Sequence, residues 1–206
     1  MKLSLLICAA LISWTAAAAP VEKVKNERVA AREETLRPGE PASMGSGLSC
    51  AIVFLSDGSI ETNVAGQATT RAVKRGEVVF CEAKHGALRA TGTAPVRFVR
   101  VEFPGVGDEA VWGTTGLAPN YKLLIENRYA RIYDIRIPAG ATEPQHTHHD
   151  RVVVCLSGAK LRHVLPDGHQ EDSSLETDDC LWRKGQTHVG KNIGATDLWV
   201  IAVEPK

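Results

Sequence analysis

Sliding the chain along itself by about a hundred residues brings two copies of one pattern into line, and no other feature restricts the fold as much. Arg28-Val29-Ala30 leading to Leu36-Arg37-Pro38-Gly39 returns as Arg128-Tyr129-Ala130 leading to Ile135-Arg136-Ile137-Pro138-Ala139-Gly140. Residues 51–56 match 152–157. Residues 76–80 followed by His85 match 178–182 followed by His188, and residues 96–102 match 198–204. The order of the matches is kept throughout, so the sequence predicts two structurally equivalent units.

Each unit consists of short β-branched or aromatic runs separated by turn signals such as Ser56-Asp57-Gly58 and Pro166-Asp167-Gly168. Along residues 131–137, Tyr133, Ile135 and Ile137 share one side of an extended strand, while Asp134 and Arg136 share the other. That is the pattern of a half-buried antiparallel strand. Residues 21–36, rich in Glu, Ala, Arg and Lys, read as helix by propensity, whereas the repeat assigns their end to a strand. Many short strands at even spacing indicate an all-β sandwich or jelly-roll barrel.

Residues 1–19 have the layout of a secretory signal, with Lys2 at the start, an apolar middle and Ala16-Ala17-Ala18-Ala19 before the cleavage point. The apolar run is shorter than the roughly 20 residues that span a bilayer. The chain is therefore expected in the periplasm or outside the cell, with no membrane contact after signal removal. Residues 20–105 form the first unit, 106–120 a Gly/Pro-bearing linker and 121–206 the second unit. The 24 Lys+Arg against 24 Asp+Glu remove any net-charge case for nucleic acid and point to a small-molecule ligand. Cys50, Cys81, Cys155 and Cys180 remain after the signal, an even number suited to disulfides in an oxidising compartment.

Three of the seven histidines, His146, His148 and His149, crowd into one short segment. If that segment is extended, the imidazoles of His146 and His148 leave the same side of the strand and suit the gripping of one ion, with His188 as a third nitrogen. Without metal, the same residues make a polar barrel mouth bonded to water or to a bound acid or sugar. His149 reads as exposed, and His163 and His169 flank a turn.

These residues resemble the cupin superfamily. Its first motif runs Gly, five residues, His-x-His, a few residues, Glu, six residues, Gly, and Gly140 to His148 followed by Gly158 fits all of it except the Glu. Its second motif ends in Gly, two residues, His, three residues, Asn, as in Gly185 to Asn192 here. Asp178 stands where the leading Gly of that motif belongs, Arg183 replaces its Pro, and Arg151 or Val152 holds the Glu position, for which Glu143 or Asp150 are the nearby substitutes. The resemblance implies an all-β chain of two tandem cupin-type jelly-roll β-barrels, with His146, His148 and His188 around a divalent metal ion (Fe, Mn, Zn, Ni or Cu). Gly45 and Gly47 take the place of the first two ligands in the first barrel. The resemblance also implies disulfides Cys50–Cys81 and Cys155–Cys180, each across one strand pair, and edge-to-edge pairing as a homodimer. Two functions follow: a metal-dependent dioxygenase-, isomerase- or lyase-like enzyme, or a non-enzymatic binder of a small carboxylate or sugar, which Arg151 favours.

Overall fold

The computed structural model describes residues 19–43, 47–64, 66–83, 86–106 and 118–206. Most of the signal, Gly45, His85 and most of the linker lie outside the described residues. Eighteen strands, and no helix, are found among the described residues. The first unit comprises β1 (Val21–Lys25), β2 (Ala30–Leu36), β3 (Pro41–Ser43), β4 (Ser49–Phe54), β5 (Gly58–Val64), β6 (Gln67–Val73), β7 (Val78–Cys81), β8 (Gly86–Ala90) and β9 (Val96–Phe103). The second comprises β10 (Tyr121–Glu126), β11 (Ala130–Ile137), β12 (His146–His148), β13 (Arg151–Ser157), β14 (Ala159–Val164), β15 (Gln170–Leu175), β16 (Cys180–Arg183), β17 (Gln186–Asn192) and β18 (Leu198–Pro205). The sheet orders are β1-β2-β9-β4-β7 with β3-β8-β5-β6, and β10-β11-β18-β13-β16 with β12-β17-β14-β15. Adding nine to each strand number turns the first pair of orders into the second. The chain is two tandem jelly-roll barrels.

The two five-stranded sheets each turn one face into their own barrel and the other toward the partner barrel. On β4 and β13 the alternation is visible residue by residue. Cys50, Ile52 and Phe54 enter the first barrel, and Val153 and Cys155 enter the second. Ala51, Val53 and Leu55 instead join Val152, Val154 and Leu156 in one core shared by both units. Phe80, Phe103 and Tyr129 close that core with ring centroids 5.6–6.1 Å apart. Polar contacts rim it. Arg28 bonds the Pro205 carbonyl and pairs with Asp150 at 3.6 Å, while Arg75 and Arg97 reach Asp178 at 3.0 and 2.8 Å.

Asp178 is the residue that departs from the expected glycine, and its backbone has φ +72, the left-handed region that favours glycine. The first barrel keeps glycine at the matching position. Gly76 has φ +80, and a Cβ there would lie 2.2 Å from the Trp199 ring of the other barrel. Asp178 is tolerated because its carboxylate is held by two arginines of the first unit.

The helix-forming residues of the first unit lie in strands instead. Pairing across the sheet overrides their propensity: Glu33 bonds Arg97 at 2.6 Å and Lys23 at 2.9 Å, and buried Arg100 bonds Glu34 through two nitrogens at 2.7 and 3.0 Å.

Neither expected disulfide is present; all four cysteines are buried free thiols. Cys50 and Cys81 are direct ladder partners inside the first barrel and share a side-chain hydrogen bond. Cys180, by contrast, pairs with Val154 and joins the shared core, while Cys155 faces the interior of the second barrel. Thiols on opposite faces of a sheet cannot meet.

The alignment of His85 with His188 also shifts by one. Ile60 and Leu161 are equivalent, and their ladder partners are Ala90 and Asn192. Four residues before each partner stand Gly86 and His188.

Candidate metal centre

β12 is three residues long, and its two histidines point into the barrel on either side of Thr147. β17 runs antiparallel beside it with His146 opposite His188 and Thr147 opposite Thr187, the two threonine hydroxyls bonded at 2.8 Å. That register brings the three imidazoles together. They are 2–5% exposed, and each offers a nitrogen within 4.8 Å of the others, a donor set that can hold a metal ion.

The outer nitrogens fix which inner atoms are free. His146 Nδ1 lies 2.8 Å from the Pro144 carbonyl and His188 Nδ1 lies 3.0 Å from Gln186 Oε1. Both oxygens only accept, so both Nδ1 atoms carry hydrogen and both Nε2 atoms present lone pairs to the interior. His148 Nδ1 lies 3.9 Å from Glu204 Oε1, within electrostatic reach but beyond a hydrogen bond. Burial, reinforced by Arg151, pushes His148 well below the usual imidazole range, and burial pushes His188 down to about 3. Neutral imidazoles with inward Nε2 atoms are the form that ligates metals.

His146 Nε2 and His148 Nε2 are 2.9 Å apart, and the Tyr121 hydroxyl lies 3.1 Å from each. The phenol also shares a hydrogen bond with Glu143. Oxygen and both ring nitrogens thus converge on one point, and with His148 in the tautomer that leaves its Nε2 bare a cation there would satisfy all three donors. The residues present fit a cation.

Glu143 is buried, its Oε1 accepting from Asn120 Nδ2 at 2.6 Å, and burial raises its pKa. A side chain at position 190 would fill its place, since a Cβ on Gly190 would stand 2.5 Å from Glu143 Oε2. Asp150 faces away and accepts from Lys184 Nζ at 3.0 Å and Gly185 N at 2.6 Å. Of the two carboxylates considered as substitutes, only Glu143 enters the site.

The centre borders a cavity of about 470 Å³ lined by Arg151, Arg183, Ile135 and Val200 from the five-stranded sheet and by Leu161 and His163 from β14, with the acidic Glu171 and Asp172 also in its lining. Arg151 and Arg183 are ladder partners. His163, read from sequence as a turn residue, stacks its ring 4.3 Å from that of His188, and His149 is half-buried rather than exposed. Tyr121, His163, Arg183 and Glu204 carried no motif signal as site residues. Glu204 closes a strand that reads as apolar core, and Tyr121 directly follows the expected linker.

No protein-family model matches the chain, and no curated protein matches its sequence. Solved structures do match. A cupin 2 conserved barrel domain protein from Leptotrichia buccalis superposes with a TM-score of 0.59 at 12% identity, over 93% of this chain and 91% of that one. AerE from Microcystis aeruginosa gives 0.61 at 14%, over 91% and 98%. Oxalate decarboxylase from Bacillus subtilis, a protein with Mn(II) centres, gives 0.59 at 13%, over 92% and 78%. At these identities the likeness speaks for fold alone, a jelly-roll barrel like that of these cupin and oxalate decarboxylase structures, present here twice.

Proposed function

We propose that this protein is an exported, metal-dependent cupin enzyme that acts on a small carboxylate in its C-terminal barrel, by lyase-like chemistry. The observation that carries the reading is the convergence of His146, His148 and His188, with two of their outer nitrogens tied to obligate acceptors and the third facing Glu204. The Mn(II) centres of the oxalate decarboxylase neighbour support manganese among the candidate ions and a carboxylate among the candidate substrates. A bound divalent ion would supply Lewis-acid polarisation of a substrate oxygen. The chain's own residues do the rest. Arg151 and Arg183, paired across one ladder in the cavity lining, offer two guanidinium groups that can bind and orient an anion. Ile135, Leu161 and Val200 add apolar surface to the same lining, and Tyr121 with Glu143 holds a proton beside the histidine nitrogens.

A second reading has an observation in its favour. Arg151 and Arg183 stand across one ladder in the cavity wall, and a guanidinium pair suits an anion without any metal. On that reading the protein is a non-enzymatic binder of a small carboxylate or sugar.

Elemental analysis decides between them, on tag-free protein recovered from its native compartment, beside the His146→Ala/His188→Ala variant. Near-stoichiometric metal that disappears in the variant is the expected result. Metal absent from both proteins sinks the enzyme reading and supports the binder. The intact mass of the same sample tests export, with a chain beginning at Pro20 expected.

A further inference from the structure

We propose that Tyr121 supplies the fourth ligand of this centre as a phenolate, in place of the carboxylate that the first cupin motif lacks here; the proposal rests on the three-histidine reading above. Tyr121 Oη, His146 Nε2 and His148 Nε2 form a triangle with edges of 3.1, 3.1 and 2.9 Å. Donors about 2.1 Å from one ion and at right angles around it stand about 3 Å apart, so the triangle has the dimensions of one face of a coordination shell.

Charge points the same way. Three neutral imidazoles leave a divalent ion uncompensated, and the nearest residue at the vacated Glu position is Arg151, a cation. A phenolate would carry a negative charge into the ligand shell itself, taken over from the neighbouring Glu143 carboxylate, so the total charge of the site stays the same while the charge moves beside the ion. The proton would have a destination: with a metal–oxygen bond formed, the phenol O–H would break and its hydrogen would pass to the Glu143 carboxylate, with which the phenol shares a hydrogen bond. Asn120 holds that carboxylate in place from the residue preceding Tyr121, and Gly190 leaves it room. The segment is pinned at the same point by the Tyr121 N–H, which donates to the Ala118 carbonyl at 3.0 Å.

The test strips the full chain of metal with a chelator and reloads it with ferric iron and, in parallel, with copper(II). Both ions give phenolate ligands a visible charge-transfer band. One ion per chain, that band, and tyrosinate ring modes in resonance Raman excited within it are expected for the unaltered protein. In Tyr121→Phe the band disappears and affinity, measured by competition with a chelator, falls at least about tenfold. Tyr133→Phe, whose ring centroid lies 6.4 Å from that of Tyr121, leaves both unchanged. The spectrum of the unaltered protein stands whether or not the variants fold well. Stoichiometric metal without the band, and equal affinity in Tyr121→Phe, overturns the role of Tyr121 while the three-histidine centre stands. A chain that takes up neither ion overturns both.

Discussion

The two barrels carry one ladder at one depth and place opposite chemistry on it. In the first, the inward pair across β4 and β7 is Cys50 and Cys81; at the same position in the second, the pair across β13 and β16 is Arg151 and Arg183. The first interior is filled by Phe54, Phe98, Ile60 and Leu88, around a mostly apolar cavity of about 320 Å³, and its Arg100 is bonded to Glu34 within the barrel. The second keeps three imidazoles, a phenol and the arginine pair around its larger cavity. Outward positions diverge far less: Ala51, Val53 and Leu55 answer to Val152, Val154 and Leu156. Shared packing constrains one face of each sheet, and the other face is where the two halves became different.

Four substitutions probe that contrast. The largest effect is expected of Phe98→Ala. It removes a fully buried ring packed edge-on to Phe54 and should cost about 3–5 kcal/mol in urea unfolding. Metal content of the folded variant should not change, and a variant that loses its metal would show that the two interiors are not independent.

The next concerns pH. Burial pushes the Glu204 carboxyl up to about 7, against the opposing pull of Arg151. A carboxyl raised in the folded state contributes stability that is complete below its unfolded value, near 4.5, and lost as pH rises through 7. In metal-free protein that contribution is about 3 kcal/mol. His148 and His188 act in the opposite sense, since burial lowers both from 6.5 and their contribution is lost as pH falls below that value. Glu204→Gln should therefore make the thermal midpoint rise more steeply between pH 4.5 and 6.5. An unchanged slope would mean that Glu204 is not the group opposing the histidines.

The smallest effects compare the matching turn positions. Gly76→Ala drives a methyl group into the Trp199 ring at a positive φ and should cost about 1–3 kcal/mol. Asp178→Gly relieves the backbone but removes the acceptor of two arginines, and the two nearly cancel, leaving a change below about 1 kcal/mol in chemical denaturation. Equal costs at the two positions would remove the asymmetry.

The duplication was legible in the sequence because strand order depends on patterns that both copies keep, and the alternation of Tyr133, Ile135 and Ile137 shows in the buried face of β11. The pairing of His146 with His148 followed from spacing, and His188 was joined to them by the resemblance; the register that brings all three together is visible only in the structure. What failed did so by single residues. A one-residue slip along a strand exchanges its two faces, and that slip separates Cys155 from Cys180 and His85 from the place of His188. Glutamates and arginines of residues 21–36 favour a helix locally, and only their partners on β1 and β9 reveal the strand. Tyr121 and Arg183 escaped notice because one follows a linker and the other merely replaced a proline. Their role lies in what stands across the barrel, which no local pattern encodes.

The core built jointly by both sheets has a historical consequence. A lone ancestral barrel with such a face would have exposed its valines and alanines to water and so had reason to exist only as a symmetric pair, each member bearing the same ligands. Carried on one chain, the two faces meet at a ratio of one to one at any concentration, and the two interiors are free to differ because only the joint face must be kept.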